Sequence, residues 1–150
     1  MSNPTPAESP AVILEKAHAV FARNHALTLA TSGAPGAAYS PWVLGTYFAH
    51  DGLDLVLFLE THGKSIKNVE HNAQVAFSVS ENDAMKDFVQ GRGLIKLLPQ
   101  TDYDATLAKL TAKMPSFKLY TPSTPVRVVV QELFVSSFAS QWFPARRWAR

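Results

Sequence analysis

The sequence predicts a mainly β fold, an antiparallel β-barrel with peripheral helices. Three observations carry this expectation. Six segments have strand-like patterning, whereas a clear helical period recurs only at the front of the chain and just before the last strand. Most consecutive strands are joined by turn residues rather than helices, which argues against a doubly wound fold. Finally, 150 residues of which 47% are hydrophobic are enough for one core, so a single domain is expected.

Residues 1–8, with Pro4 and Pro6, read as a flexible leader, and residues 9–150 as the domain. Ser9-Pro10 supplies an N-cap followed by proline in the first helical turn, and Ile13, Ala17, Val20 and Phe21 then form one apolar stripe. The period changes at His25. HALTLATS (25–32) alternates, GAPG (33–36) supplies turn residues, and AAYSPWVLGTYFA (37–49) is again strand-like, so these two strands are predicted to pair. His50-Asp51-Gly52 is a hairpin signal. The following LDLVLFLE (53–60) is too continuously apolar for a strand with one wet face and is expected deep in the sheet.

QVAFSVS (74–80) alternates cleanly. In FVQGRGLIKLL (88–98), Gly91 and Gly93 suggest a bend, a bulge or a close approach by another backbone or a ligand. The pair lacks the third glycine and the following helix of a dinucleotide-binding turn. Thr101 and Asp104 form a variant capping box ahead of the stripe Tyr103, Leu107, Leu110 and Met114, and Pro115 ends that helix. VRVVVQELFVSSFA (126–139) is the last strand and QWFPARRWAR (141–150) a tail.

Composition narrows the chemistry. The chain has no Cys, which excludes disulfides, thiolate zinc sites, iron–sulfur clusters and cysteine nucleophiles, so redox chemistry would need a bound organic cofactor or haem. A net charge of +2, with local basicity only at Arg146-Arg147-Trp148-Ala149-Arg150, is far from a nucleic-acid-binding stripe, and no nucleic-acid partner is expected. No apolar run approaches the roughly 20 residues of a membrane span. The first ten residues have neither a basic start nor an apolar core, so a cytoplasmic protein without membrane attachment is expected. The five histidines (His18, His25, His50, His62 and His71) show no metal-ligand spacing, and no metal is expected. No G-x-S-x-G elbow supports a hydrolase.

The segment most informative about function is Thr61-His62-Gly63-Lys64-Ser65-Ile66-Lys67-Asn68-Val69, directly after the most apolar strand. A glycine, hydroxyls and two ammonium groups where the chain enters a short helix could hold a phosphate dianion. On local sequence alone, the competing reading is a solvated loop with ordinary surface lysines.

The wider order is A-T-S-G-A-P (30–35), A-Y-S-P-W (38–42), L-F-L-E-T (57–61), K-S-I-K-N-V-E-H-N (64–72) and V-A-F-S-V (75–79). It resembles the pyridoxamine 5′-phosphate oxidase-like family, the FMN-binding split barrels, over roughly residues 10–98. The resemblance implies a six-stranded antiparallel split barrel and a homodimer with FMN at the subunit interface. It places Lys64 and Ser65 at the phosphate, with Thr61 and Lys67 as neighbours. Ser40, Trp42 and Val43 would lie along the isoalloxazine ring, with Gln90 as a polar ring contact. Two features of the residues themselves also point to a dimer: the apolar strand Leu53 to Leu59 and the aromatic tail Trp142, Phe143 and Trp148, both expected to need cover.

The chain also departs from the family pattern. Asn72-Ala73 stands where Asn-Pro is usual, and Lys64-Ser65 replaces an adjacent Arg-Lys pair, which leaves a deazaflavin as the second choice of cofactor. No His follows His71, although pyridoxamine phosphate oxidases carry a C-terminal Arg-x-His and haem-utilisation relatives a C-terminal His. The expectation is therefore an FMN-dependent oxidoreductase of this family type, substrate unspecified, with no side chain assigned as catalytic because the flavin carries the electrons. The alternative is a non-catalytic flavin- or small-ligand-binding protein for storage or sensing.

Overall fold

The computed structural model describes residues 7–33 and 41–150. In chain order they form α1 (Pro10–Arg23), β1 (Ala26–Thr31), β2 (Trp42–Tyr47), β3 (Ala49–Asp51), β4 (Asp54–Glu60), α2 (Lys64–His71), β5 (Gln74–Val79), β6 (Phe88–Leu97), α3 (Tyr103–Lys113), β7 (Ser123–Ser137) and β8 (Trp142–Ala149). A 3₁₀ turn, Gln100–Asp102, leads into α3. The described strands make one eight-stranded sheet in the order β2-β1-β5-β6-β7-β4-β3, with β8 also on β7 and antiparallel pairing throughout. β7 is long enough to serve two neighbours on one side. Its first half, Ser123 to Val128, pairs with β4, and its second half, Glu132 to Ser137, pairs with β8. The result is a curled, mainly β sheet with peripheral helices.

Local sequence explains most elements. Ser9 Oγ accepts from the Val12 amide at 3.3 Å, Pro10 opens α1, and the stripe Ile13, Ala17, Val20 and Phe21 is buried. Gly52, at φ 60°, turns β3 into β4, as the Asp-Gly signal predicts. The unbroken apolar run of β4 has a two-sided cause. Leu55, Leu57 and Leu59 join the main core, while Val56 and Phe58 face a second cluster with Leu110 and Met114 under α3. β4 therefore lies next to the terminal β3, and its depth comes from a covering helix rather than a central place in the sheet.

Both glycines of β6 sit at close approaches made by the chain itself. A Cβ on Gly91 would lie 2.3 Å from the Phe77 ring, and one on Gly93 would lie 2.3 Å from the Val129 carbonyl oxygen. The β6–β7 register shifts between Arg92 and Gly93, so the bulge and the backbone approach coincide.

Three expectations are corrected. Among the described residues the strands number eight rather than six, because β3 separates from β2 at Phe48 and residues 142–149 of the expected tail form β8. Pro144 falls where the β7–β8 register shifts, a place in a sheet that accepts proline. The Thr101/Asp104 capping box does not form: α3 starts directly from the 3₁₀ turn, without a side-chain cap. Finally, the two features taken to need a partner are covered within the chain. Leu55 to Leu59 are buried, Trp142 is 5% exposed, and Trp148 packs on the main core, leaving Phe143 alone of the three tail aromatics well exposed.

Candidate functional site at the start of helix α2

β4 ends at a turn fixed to β7. The Thr61 amide donates to Pro122 O at 2.9 Å, and Thr61 Oγ1 lies 2.9 Å from Thr124 Oγ1. The Gly63 amide donates back to Glu60 O at 3.0 Å, and α2 begins at Lys64 with Gly63 as N-cap. A glycine cap has no side chain to accept from the first-turn amides, so this helix end keeps donors and a partial positive charge. A Cβ at Gly63 would sit 3.2 Å from Glu60 O, so the turn is tight as well as uncapped.

Ile66 and Val69 anchor α2 in the main core, which turns Ser65 and Asn68 inward too. Asn68 Nδ2 donates to Thr31 Oγ1 at the end of β1 (3.2 Å), and Asn72 Nδ2 donates to Ser32 Oγ (3.2 Å) while its Oδ1 accepts from the Gln74 amide (3.0 Å). These amides set the helix against the sheet. Among the described residues Ser65 Oγ has no hydrogen-bond partner, although the residue is only 4% exposed. A buried hydroxyl without a partner costs roughly 1–3 kcal/mol.

The adjoining sheet edge completes the geometry. β1 and β2 pair so that Thr31 faces Trp42, and Lys64 Nζ lies 4.4 Å from the Trp42 ring centroid. Asn68, Thr31, Trp42 and Lys64 thus link the helix start to the edge strand. Trp42 is 39% and Val43 62% exposed, on alternate sides of β2.

Among the residues singled out from sequence, Lys64, Ser65 and Trp42 come together here. Lys67 is exposed one turn along α2, and Thr61 is engaged with Thr124. Val43 lies on the other side of β2 from Trp42. Gln90 is exposed on β6, opposite Ser78 and Phe134 and three strands from β2. Ser40 falls outside the described residues. The sequence reading missed Asn68, Asn72 and Thr31; polar residues inside the apolar face of α2 were the available signal. One carboxylate, Glu60, borders the turn. The described residues contain no cluster of three acidic or histidine side chains able to hold a metal ion, and no helix long and apolar enough to cross a membrane.

The comparisons with known proteins bear on the whole barrel. The sequence profile of the pyridoxamine 5′-phosphate oxidase family matches residues 13–136. No curated protein matches the sequence. A Listeria innocua protein proposed to be a pyridoxamine 5′-phosphate oxidase superposes with a TM-score of 0.67 at 14% identity, covering 82% of this chain and 97% of that one. The haem storage protein HutZ from Vibrio cholerae gives 0.65 at 18% identity, over 81% of this chain and 94% of that one. A haem-binding protein from Mycobacterium smegmatis gives 0.73 at 15% identity, over 99% of this chain but 60% of that one, so this chain spans about three fifths of its length. At such identities these structures establish the fold, an antiparallel split barrel. With the profile spanning most of the sequence, the chain belongs to the pyridoxamine 5′-phosphate oxidase family.

Proposed function

We propose that the chain binds FMN, its phosphate at the start of α2 and its ring system along the edge of β2, and that it is an FMN-dependent oxidoreductase. One observation carries the reading: the buried, unpartnered Ser65 hydroxyl beside Lys64 at a helix start with no side-chain cap. These groups fit a phosphate dianion. Ser65 would donate its hydroxyl, the first-turn amides would aim at the phosphate oxygens, and Lys64 would supply charge. Thr61 and Lys67 would border the phosphate. The edge of β2 at Trp42 and Val43, whose side chains alternate between its two sides, would border the ring system together with Ser40, and Gln90 of a second copy would offer a polar contact to it.

A bound flavin supplies the hydride and electron transfer, so the side chains have to hold it, orient it and leave one face open. Lys64 is the informative substitution. Lys64→Ala is expected to weaken FMN about ten- to hundredfold through loss of a charge-assisted contact, while riboflavin, which lacks the phosphate, barely changes. The FMN effect should shrink in high salt. Equal FMN affinity in wild type and variant would move the phosphate elsewhere, with Lys67 the next candidate.

The absorbance and mass of the ligand released from purified protein test the cofactor itself. FMN supports the reading; a deazaflavin would retain the phosphate site and change the cofactor, and haem would overturn it. Stopped-flow reduction by NADH or NADPH separates an oxidoreductase from a storage or sensing module, which would hold flavin that neither nicotinamide nor a reduced deazaflavin reduces.

A further inference from the structure

An open groove of about 510 Å³ runs between the far end of β2 and the segment joining α3 to β7. That volume suits a small molecule of two or three rings. Its floor is a continuous aromatic series. Phe117 stacks on Phe58 at 6.3 Å between centroids and 20° between planes, and meets Tyr47 edge-on at 6.0 Å. Tyr120, 89% exposed, stands at the side. A second recess of about 320 Å³ shares Tyr47, Phe117 and Tyr120 and adds His25 and Lys113. Lys118 lines both recesses, and none of the described residues lining either carries a carboxylate.

The wall is held firmly. Lys113, the last residue of α3, donates through Nζ to the carbonyl oxygens of Phe21 (2.9 Å), Asn24 (2.6 Å) and Phe48 (3.2 Å), and Nζ lies 3.8 Å from the Phe48 ring centroid. The segment that carries Phe117, Lys118 and Tyr120 therefore leaves α3 from a pinned end. Aromatic faces already oriented, with a cation at the rim, favour a flat ligand of negative charge.

We propose that this groove binds a planar aromatic anion, its rings against Tyr47 and Phe117 and its acid group toward Lys118. The site does not rest on the flavin reading. Trp42 and Tyr47 are opposite ends of β2, about 17 Å apart at strand spacing.

The probe is 8-anilinonaphthalene-1-sulfonate, compared with N-phenyl-1-naphthylamine, which has the same rings without the sulfonate. The sulfonate dye is expected to saturate at about one per chain. Lys118→Glu should weaken it about five- to tenfold and leave the uncharged dye within about twofold. Tyr120→Ala should weaken both dyes, and so exposed a side chain can be removed without harm to folding. FMN affinity, measured on the same variants, should stay at the wild-type value. Dye binding indifferent to both substitutions would overturn the proposal, as would equal effects of Lys118→Glu on the two dyes. Competition between FMN and the sulfonate dye would also overturn it, since the groove would then be part of the flavin site. Absence of flavin binding with the dye pattern intact would sink the flavin reading alone.

Discussion

In the proposed phosphate site, Ser65 would put stability and binding in opposition within one side chain. Its hydroxyl is buried without a partner, so Ser65→Ala removes a desolvation cost and leaves the packing of Ile66 and Val69 in place. The ligand-free variant should be more stable than wild type by about 1 kcal/mol, and FMN should bind it about tenfold more weakly. Chemical denaturation with and without FMN reads both. A variant less stable without ligand would mean that the hydroxyl is satisfied in the free protein and is not held ready for a phosphate. His18 shows the same kind of tension on the acid side. Burial, and to a lesser degree its neighbour His50, holds its imidazole below the ordinary value of 6.5; the two rings stack at 5.7 Å. Because the folded-state pKa is depressed, the stability His18 contributes is present above pH 6.5 and is lost as pH falls through the folded value. Replacing His18 with Gln should flatten the acid limb of the stability curve; an unchanged limb would assign it to other groups.

At the scale of elements, Lys113 ties the end of α3 to the end of α1 and to Phe48. Burial pushes its pKa down to about 8 from an ordinary 10.5. Between these values the unfolded chain binds more protons than the folded one, so stability rises with pH across that window. Wild type should gain melting temperature relative to Lys113→Met between pH 8 and 10.5, and a constant or shrinking difference would contradict it. The bulge in β6 makes the second prediction. A Cβ on Gly93 meets backbone, Val129 O at 2.3 Å and Val130 Cα at 3.1 Å, which cannot rotate away. Gly93→Ala should cost about 3 kcal/mol in denaturant unfolding or prevent folding.

Elements were legible in the sequence where their causes are local. Helix α1 carries its cap, its proline and its stripe within adjacent turns, and Gly52 marks its own hairpin. The misreadings have causes distant in sequence. Strand β8 is interrupted by Pro144 and sets Arg146 and Arg147 side by side, so its alternation is weak, and only pairing with β7 defines it. Lys64 and Ser65 stand out locally, whereas the Asn68–Thr31 bond that orients their helix joins residues 37 apart. The groove floor unites Tyr47, Phe58 and Phe117 through tertiary packing alone.

At the scale of the whole molecule, the question is how one flavin could meet both the start of α2 and Gln90. Within one chain, β1 and β5 separate β2 from β6, a span of roughly 14 Å at ordinary strand spacing. A ring system lying along β2 reaches Gln90 more readily if that residue comes from a second copy related by a two-fold axis, as the family resemblance implies. The chain covers its own apolar strand and most of its aromatic tail, so a dimer would have to draw on other surfaces, such as the exposed Trp42 end of β2. Complementation between subunits tests this directly. Lys64→Ala damages the phosphate end and Gln90→Trp obstructs the ring end, and each homodimer should then bind FMN poorly. After unfolding and refolding an equal mixture, half of the dimers are mixed and each mixed dimer carries one intact site, so about a quarter of wild-type sites should return. No recovery from the mixture, or a monomer with FMN bound in sedimentation, would put Gln90 outside the site and confine the flavin to one chain.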